Sequence, residues 1–235
     1  MRKINWQKWI SLFVMISLVG SAIFLIIGIV LAPVLGDATE GVFGRPKSEY
    51  VLMLVQCILG VIAMIMPGVL TKKFKLQIPT NMLLLYTLFL YGAIYLGEVK
   101  SFYYVVPHWD TILHTFSGAM LGALGFSFVS LLNNEEKIPV QLSPMFVALC
   151  AFCFATTMGV LWEIYEFTFD GLLGLNMQKF ALEGGADLVG RAALVDTMKD
   201  LIVDIVGALA MSCIGYISLK YKKGWIEKLL VAIRN

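Results

Sequence analysis

The sequence predicts an all-α fold, a polytopic membrane bundle of about six transmembrane helices, and three observations carry that prediction. Of its 235 residues, 59% are hydrophobic and only 14% are charged, and the mean hydropathy of +0.83 lies far above what a water-soluble globule needs. Apolar runs long enough to cross a hydrocarbon core of about 30 Å recur six times. Lys and Arg fall unevenly on alternate connections, as positive-inside orientation requires.

The runs lie at about Ile10–Leu35, Tyr50–Leu70, Thr80–Gly97, Thr111–Leu132, Pro144–Phe169 and Lys199–Leu219. The first follows Arg2, Lys3 and Lys8, like a secretory signal. Its apolar part is too long for one and no small-x-small cleavage site precedes Asp37, so a retained helix is expected. The second ends at Lys72, Lys73 and Lys75, the third at Glu98, and the fourth opens on "PHWDTILHTFSG". The fifth closes with "LWEIYEFTFD"; the sixth carries "VDTMKDLIVDIVGA" and leads into a basic tail. Connections are short except for Asp170–Val195, which contains Gly171, Gly174, Gly184, Gly185 and Gly190. That segment is apolar enough to lie on the membrane or fold back over a site, and it also fits a floppy connector. No internal repeat and no soluble domain interrupts a single transmembrane domain spanning 1–235.

Twelve Lys and Arg (Arg2, Lys3, Lys8, Lys72, Lys73, Lys75, Lys137, Lys220, Lys222, Lys223, Lys228 and Arg234) share a face with the N-terminus. Five (Arg45, Lys47, Lys100, Lys179 and Arg191) take the other. Both termini are therefore expected in the cytoplasm of a multi-pass plasma-membrane protein. This bias accounts for the net charge of +2, which gives no reason to expect a nucleic-acid partner. The partners expected are membrane lipids, and the tail after Leu219 reads as an anchor to anionic lipid. Cys57, Cys150, Cys153 and Cys213 all fall inside spans. The single C-x-x-C of Cys150 and Cys153 has no second pair, so buried apolar cysteines are expected rather than a zinc or redox site.

Charges inside the spans are the informative residues. One at mid-depth costs about 2.5–3.5 kcal/mol, whereas an Ile, Leu or Val returns about 0.3–0.6. With the topology above, Asp110 and His114 open the fourth helix on the outer side, and Glu163, Glu166 and Asp170 close the fifth there. Asp196, Asp200 and Asp204 occupy the outer half of the sixth, and Glu98 ends the third. Residues three, four or seven apart share a helix face, so each set forms a stripe. The three aspartates descend about 6 Å per step, which puts Asp204 about 12 Å deeper than Asp196. Carboxylates this close need protons, cationic partners or a metal ion. Fixed positive charge is scarce: Lys199 points elsewhere on its helix, and Arg191 is the outer-loop candidate.

One imidazole among carboxylates is a ligand set for a divalent ion, Mn, Zn or Mg. The metal-ligand candidates are His114, Asp196, Asp200 and Asp204, with Asp110 and Arg191 in support. Asp110, Asp170 and Asp196 also fit hydrogen-bonded helix ends near the interface. Gly118, Gly122 and Gly125 on the fourth helix, with Gly207 and Ala208 on the sixth, have the small-x-x-x-small spacing that lets helices approach. Tyr103, Tyr104, Trp109, Trp162 and Tyr165 fall where an outer aromatic belt would sit.

Three blocks together resemble the YjdF-like bacterial inner-membrane family: Trp109-Asp110 with His114 and Gly118; Glu163 with Glu166; and Asp196-Thr197 with Asp200, Gly207 and Ala208. The resemblance covers about Trp109 to Ala208. Lys199 stands where such members carry an aromatic residue, and Asp204 is an addition. A looser likeness, in His, Glu and Asp placement only, is to VanZ-like membrane proteins. The resemblance implies a bacterial cell-membrane location and a multi-span fold, and it brings no reaction.

The chemistry of the polar set points first to a metal-dependent membrane hydrolase or transferase acting on a lipid or lipid-linked phosphate. Glu163 or Glu166 would be the general base on a metal-bound water. Two alternatives stand beside it: a proton- or cation-coupled transporter, and a non-catalytic protein with a structural metal site.

Overall fold

A computed structural model of the chain describes residues 6–31, 47–133, 142–182 and 186–233. In chain order its helices are α1 (Trp6–Leu31), α2 (Lys47–Lys73), α3 (Thr80–Leu90) with a π-helical continuation Tyr91–Val99, α4 (Phe102–Val105), α5 (Trp109–Asn133), α6 (Pro144–Leu173) and α7 (Arg191–Lys220). Two short strands, β1 (Leu76–Gln77) and β2 (Ala232–Ile233), pair antiparallel. All six expected spans are helices long and apolar enough to cross a membrane, α3 counting with its continuation. In hydrocarbon the backbone must satisfy its own N–H and C=O groups, which these segments do as helices. Residues 32–35 of the first expected span lie outside the described residues. So do Arg2, Lys3, Arg45, Lys137 and Arg234 of the orientation argument, and Gly184 and Gly185 of the long connection.

Boundaries moved most where charge interrupted an apolar run. The last helix begins at Arg191 rather than Lys199, because Asp196 and Lys199 end the apolar pattern without ending the helix. The α6 helix starts on Ser143, whose Oγ accepts from Phe146 N at 3.3 Å, with Pro144 in the first turn. It runs past Phe169 to Leu173 and stops at Gly174, which has φ +64° and donates its N–H to the Asp170 carbonyl.

Two groups of helices share the work. Helices α1, α2 and α3 pack around Val14, Leu18, Leu25, Met53, Cys57, Leu90 and Ile94. Helices α5, α6 and α7 meet through small residues instead. A Cβ on Gly118 would strike the backbone of Asp204, and one on Gly207 would strike the carbonyl of Thr115. The expected small-residue contact between these helices is therefore backbone to backbone. Between the two groups a chamber of about 460 Å³ is left.

The tail, expected as a lipid anchor, is held by the bundle itself. Ser218 Oγ accepts from Trp225 N at 3.0 Å and Ile226 N at 3.4 Å, and Ile226 is buried with Phe126, Ala148 and Ala151. Further on, Val231 N donates to Ser127 Oγ at 3.0 Å, and β2 pairs with β1 from the α2–α3 connection. Buried donors in the tail find hydroxyls in α5 and α7, so it is locked beneath the bundle. The cysteines also depart from expectation. All are free thiols, but only Cys57 is buried, while Cys153 of α6 and Cys213 of α7 are exposed.

Candidate metal centre in an intramembrane chamber

The chamber lies toward the end of the bundle that carries the 170–190 connection. One pole is polar and contains Asp110, His114 and Ser117 of α5, Glu166 of α6, and Asp200 and Asp204 of α7, with Glu98 and Lys179. The remaining wall is largely apolar.

The imidazole of His114 organises the polar pole. Its Nδ1 lies 3.3 Å from Asp204 Oδ2, and the other Asp204 oxygen lies 2.9 Å from Ser117 Oγ. That hydroxyl is also 2.9 Å from the His114 carbonyl, so its one proton serves either acceptor but not both at once. On the opposite ring edge, Nε2 faces Asp110 Oδ1 at 3.7 Å and Asp200 Oδ2 at 3.8 Å. These separations exceed a hydrogen bond. Two atoms bonded to one ion at about 2.1 Å stand no more than about 4.2 Å apart, so the two spans from Nε2 are short enough for a shared ion. Ligand atoms of Asp110, His114 and Asp200 all lie within 4.8 Å of one another. Asp200 is only 2% exposed, and its Oδ1 has no hydrogen-bond partner among the described residues. A buried oxygen of this kind calls for an ion or a proton.

The three aspartates of α7 have separate places. Asp200 is on the chamber wall, Asp204 sits behind the imidazole against Gly159 of α6, and Asp196 is half-buried one turn out and off the wall. The two glutamates also differ. Glu166 lines the chamber. Glu163 is buried beside Thr197 and Gln178, which are joined to each other at 2.9 Å, and neither Glu163 oxygen meets hydrogen-bond geometry among the described residues. Arg191 stands exposed at the start of α7, away from the wall.

Asp170 works as a pin. Its two carboxylate oxygens accept from Met177 N at 2.8 Å and Gln178 N at 2.9 Å. Asn176 then ties both its side-chain groups to Ala181, and Leu188 N donates to the Phe180 carbonyl. Of the three readings of this connection, folding back is the one its described residues adopt. Lys179, at φ +49°, is carried into the chamber wall with Met177.

Its Nζ sits 5.0 Å from the Tyr103 ring centre and 5.3 Å from that of Tyr104. Burial alone would lower the pKa of this ammonium, but Glu98 foremost, then Tyr104, Asp110 and Glu166, raise it above its usual 10.5. The Tyr103 phenol is likewise pushed well above its ordinary value, by burial and then by Glu98, Asp110, Glu166 and Asp200.

Lys179, Ser117, Tyr103 and Glu98 are thus site residues beyond those expected. For Lys179 the signal was its place on the less basic face, in a Gly-rich connection too long to be mere spacing. Glu98 reaches the chamber through the π-helical turns after Leu90, where Lys100 N donates five residues back to the Tyr95 carbonyl. Such turns recur at functional sites. Trp109 does more than anchor a belt, since its Nε1 donates to the Gly92 carbonyl at 3.1 Å.

Residues 12–221 match the family described as predicted membrane protein (DUF2238). The chain belongs to this family. It is also 33% identical over 153 residues to an uncharacterised protein of Thermotoga maritima, covering 64% of this chain and 69% of the relative. No solved structure matches. The YjdF-like resemblance is carried by these comparisons only as far as an uncharacterised membrane-protein family, and the looser VanZ-like likeness finds no support in them.

Proposed function

We propose that this chain is a multi-pass plasma-membrane enzyme that uses a divalent metal ion, Mn, Zn or Mg, to hydrolyse or transfer a lipid or lipid-linked phosphate. Its termini lie in the cytoplasm and its chamber faces the outer leaflet. The three sequence blocks are then the YjdF-like signature of the metal pole. One observation carries the reading. A single imidazole is held at Nδ1 by a buried carboxylate and turned at Nε2 toward two more, one with an orphan oxygen, at the end of an apolar chamber.

Asp110, His114 and Asp200 would hold the ion. When bound it supplies Lewis acidity toward phosphate oxygens and an activated water at neutral pH. Asp204, steadied by Ser117, fixes the tautomer and orientation of His114, the part a carboxylate plays behind a ligating histidine. Glu166, on the wall, is placed to take a proton from the attacking water, and Lys179 presents a fixed positive charge to the phosphate. Glu163 keeps a buried carboxylate beside this pole. Asp196 and Arg191 set the charge at the start of α7. The apolar wall accommodates hydrocarbon.

Transport fits less well. Beyond Asp204, neither α5, α6 nor α7 carries a charged residue until Lys220, and Gly207 and Thr115 bring α5 and α7 together directly below the site. Proteoliposomes containing a diacyl or polyprenyl phosphate test the choice. We expect headgroup release or exchange by mass spectrometry that stops with EDTA and with Glu166→Gln. Cation flux that depends on Glu163, without lipid turnover, would overturn the enzyme reading.

A further inference from the structure

Resting on that reading, we infer that the chamber opens sideways into the bilayer between α2 and α6, and that the acyl chain of a membrane lipid enters there. Most residues that line the chamber are buried or half-buried. The three that are exposed as well are Leu59 (40%), Met158 (38%) and Trp162 (46%). All three belong to α2 or α6. Among the described residues no Cα of α2 comes within 8 Å of a Cα of α6, although both helices border the same cavity. A residue that is both wall and surface marks a mouth, and a mouth between two helices whose backbones stand this far apart is a cleft.

What covers the cleft follows from its depth. Leu59 lies within the span Tyr50–Lys73, and Met158 and Trp162 lie within Pro144–Leu173. The cleft therefore faces hydrocarbon, where water and a soluble ligand have no access. Among the described residues, side chains and backbone stand across the other routes. At the 170–190 end Leu52 of α2 packs on Leu175 and Met177, with Tyr165 and Phe169 against them, and Lys179 closes over Tyr103. At the opposite end α5 and α7 are in backbone contact. A ligand that reaches His114 by the cleft passes mainly apolar side chains, so it presents a chain to the wall and a polar head to Asp110, His114 and Asp200. The substrate class is thus a bilayer-resident amphiphile, and water-soluble phosphates are excluded by the route.

The test uses native protein in nanodiscs containing a phospholipid with a diazirine in its acyl chain. After irradiation, adducts are mapped by mass spectrometry and metal content is measured on the same sample. We expect adducts on Leu90 and Leu113, which are buried in the chamber wall, as well as on the outward-facing Leu209 and Ile23. Met158→Trp and, independently, Ala63→Phe should remove the chamber adducts and leave those on Leu209. Adducts on outward-facing residues alone, or chamber adducts indifferent to both substitutions, would overturn the portal. So would disulfide-linked dimers of Leu59→Cys or Met158→Cys protein in the same nanodiscs, since a second copy would then cover the cleft. Absent chamber adducts with metal retained sinks the portal only, and chamber adducts on metal-free protein sink the metal reading only.

Discussion

In the proposed metal centre the two nitrogens of one ring take different parts. His114 Nδ1 lies 3.3 Å from Asp204 while Nε2 looks across 3.7 and 3.8 Å to Asp110 and Asp200. Asp204→Asn keeps an oxygen for Nδ1 but removes the charge behind the ring, so metal affinity should fall about 10–100-fold while the fold persists. Competition against a chromophoric chelator measures it, and unchanged affinity would place Asp204 outside the ligand shell's support. Much of this pole was legible residue by residue, because a charge at mid-depth has few innocent explanations and His114, Asp200 and Glu166 stood out on that ground alone. Ser117 and Lys179 did not. A serine costs little anywhere in a helix, and Lys179 is 65 residues from His114 by the numbering, joined to it only by the folded connection.

Helix packing decides which of those residues meet. Asp204 reaches His114 because Gly118 and Gly207 let α5 and α7 touch at backbone level. Gly207→Ala should cost at least about 1–3 kcal/mol, the price of overpacking, and lower the thermal midpoint in detergent. A neutral result would mean that the helices stand further apart than described. The 170–190 connection has its own pin. Asp170→Ala strips two charge-assisted bonds, about 1.5–3 kcal/mol each, and should speed hydrogen exchange at Met177 and Gln178 without altering the mid-helix amides of α1. Exchange unchanged at those two amides would contradict the pin. The raised Lys179 pKa has a definite sign. Its ion-pair contribution is fully present below the usual 10.5 and is lost only as pH rises through the higher folded value. Stability between pH 5 and 9 should therefore show no step from Lys179, and Lys179→Met should lower stability evenly across that range, as read by thermal scans at several pH values. The six long helices were readable because hydropathy over about 20 residues is a strong signal. The π-helical turns of 91–99 and the strand pair were not, since both depend on partners elsewhere in the chain.

At the scale of the whole molecule, two groups of three spans pack together, and all but α1 line one amphipathic chamber. The tail, locked by Ser218 and Ser127, closes the opposite end. Composition announced a membrane protein, but the chamber was hidden from it, because a cavity forms from helices that fail to meet, and no local pattern records that. Orientation rests on the Lys and Arg bias. A Val189→Cys variant, at a position 85% exposed in the long connection, should react with a membrane-impermeant maleimide from outside intact cells. Labelling only after lysis would move the chamber to the other leaflet.

The metal is the central claim, and it is settled most directly by elemental analysis of the protein purified in mild detergent without chelator. The account predicts near-stoichiometric Mn, Zn or Mg, lost in both His114→Ala and Asp200→Asn and kept in the distant control Cys213→Ala. Protein that is folded and metal-free, or metal that survives both substitutions, would contradict it.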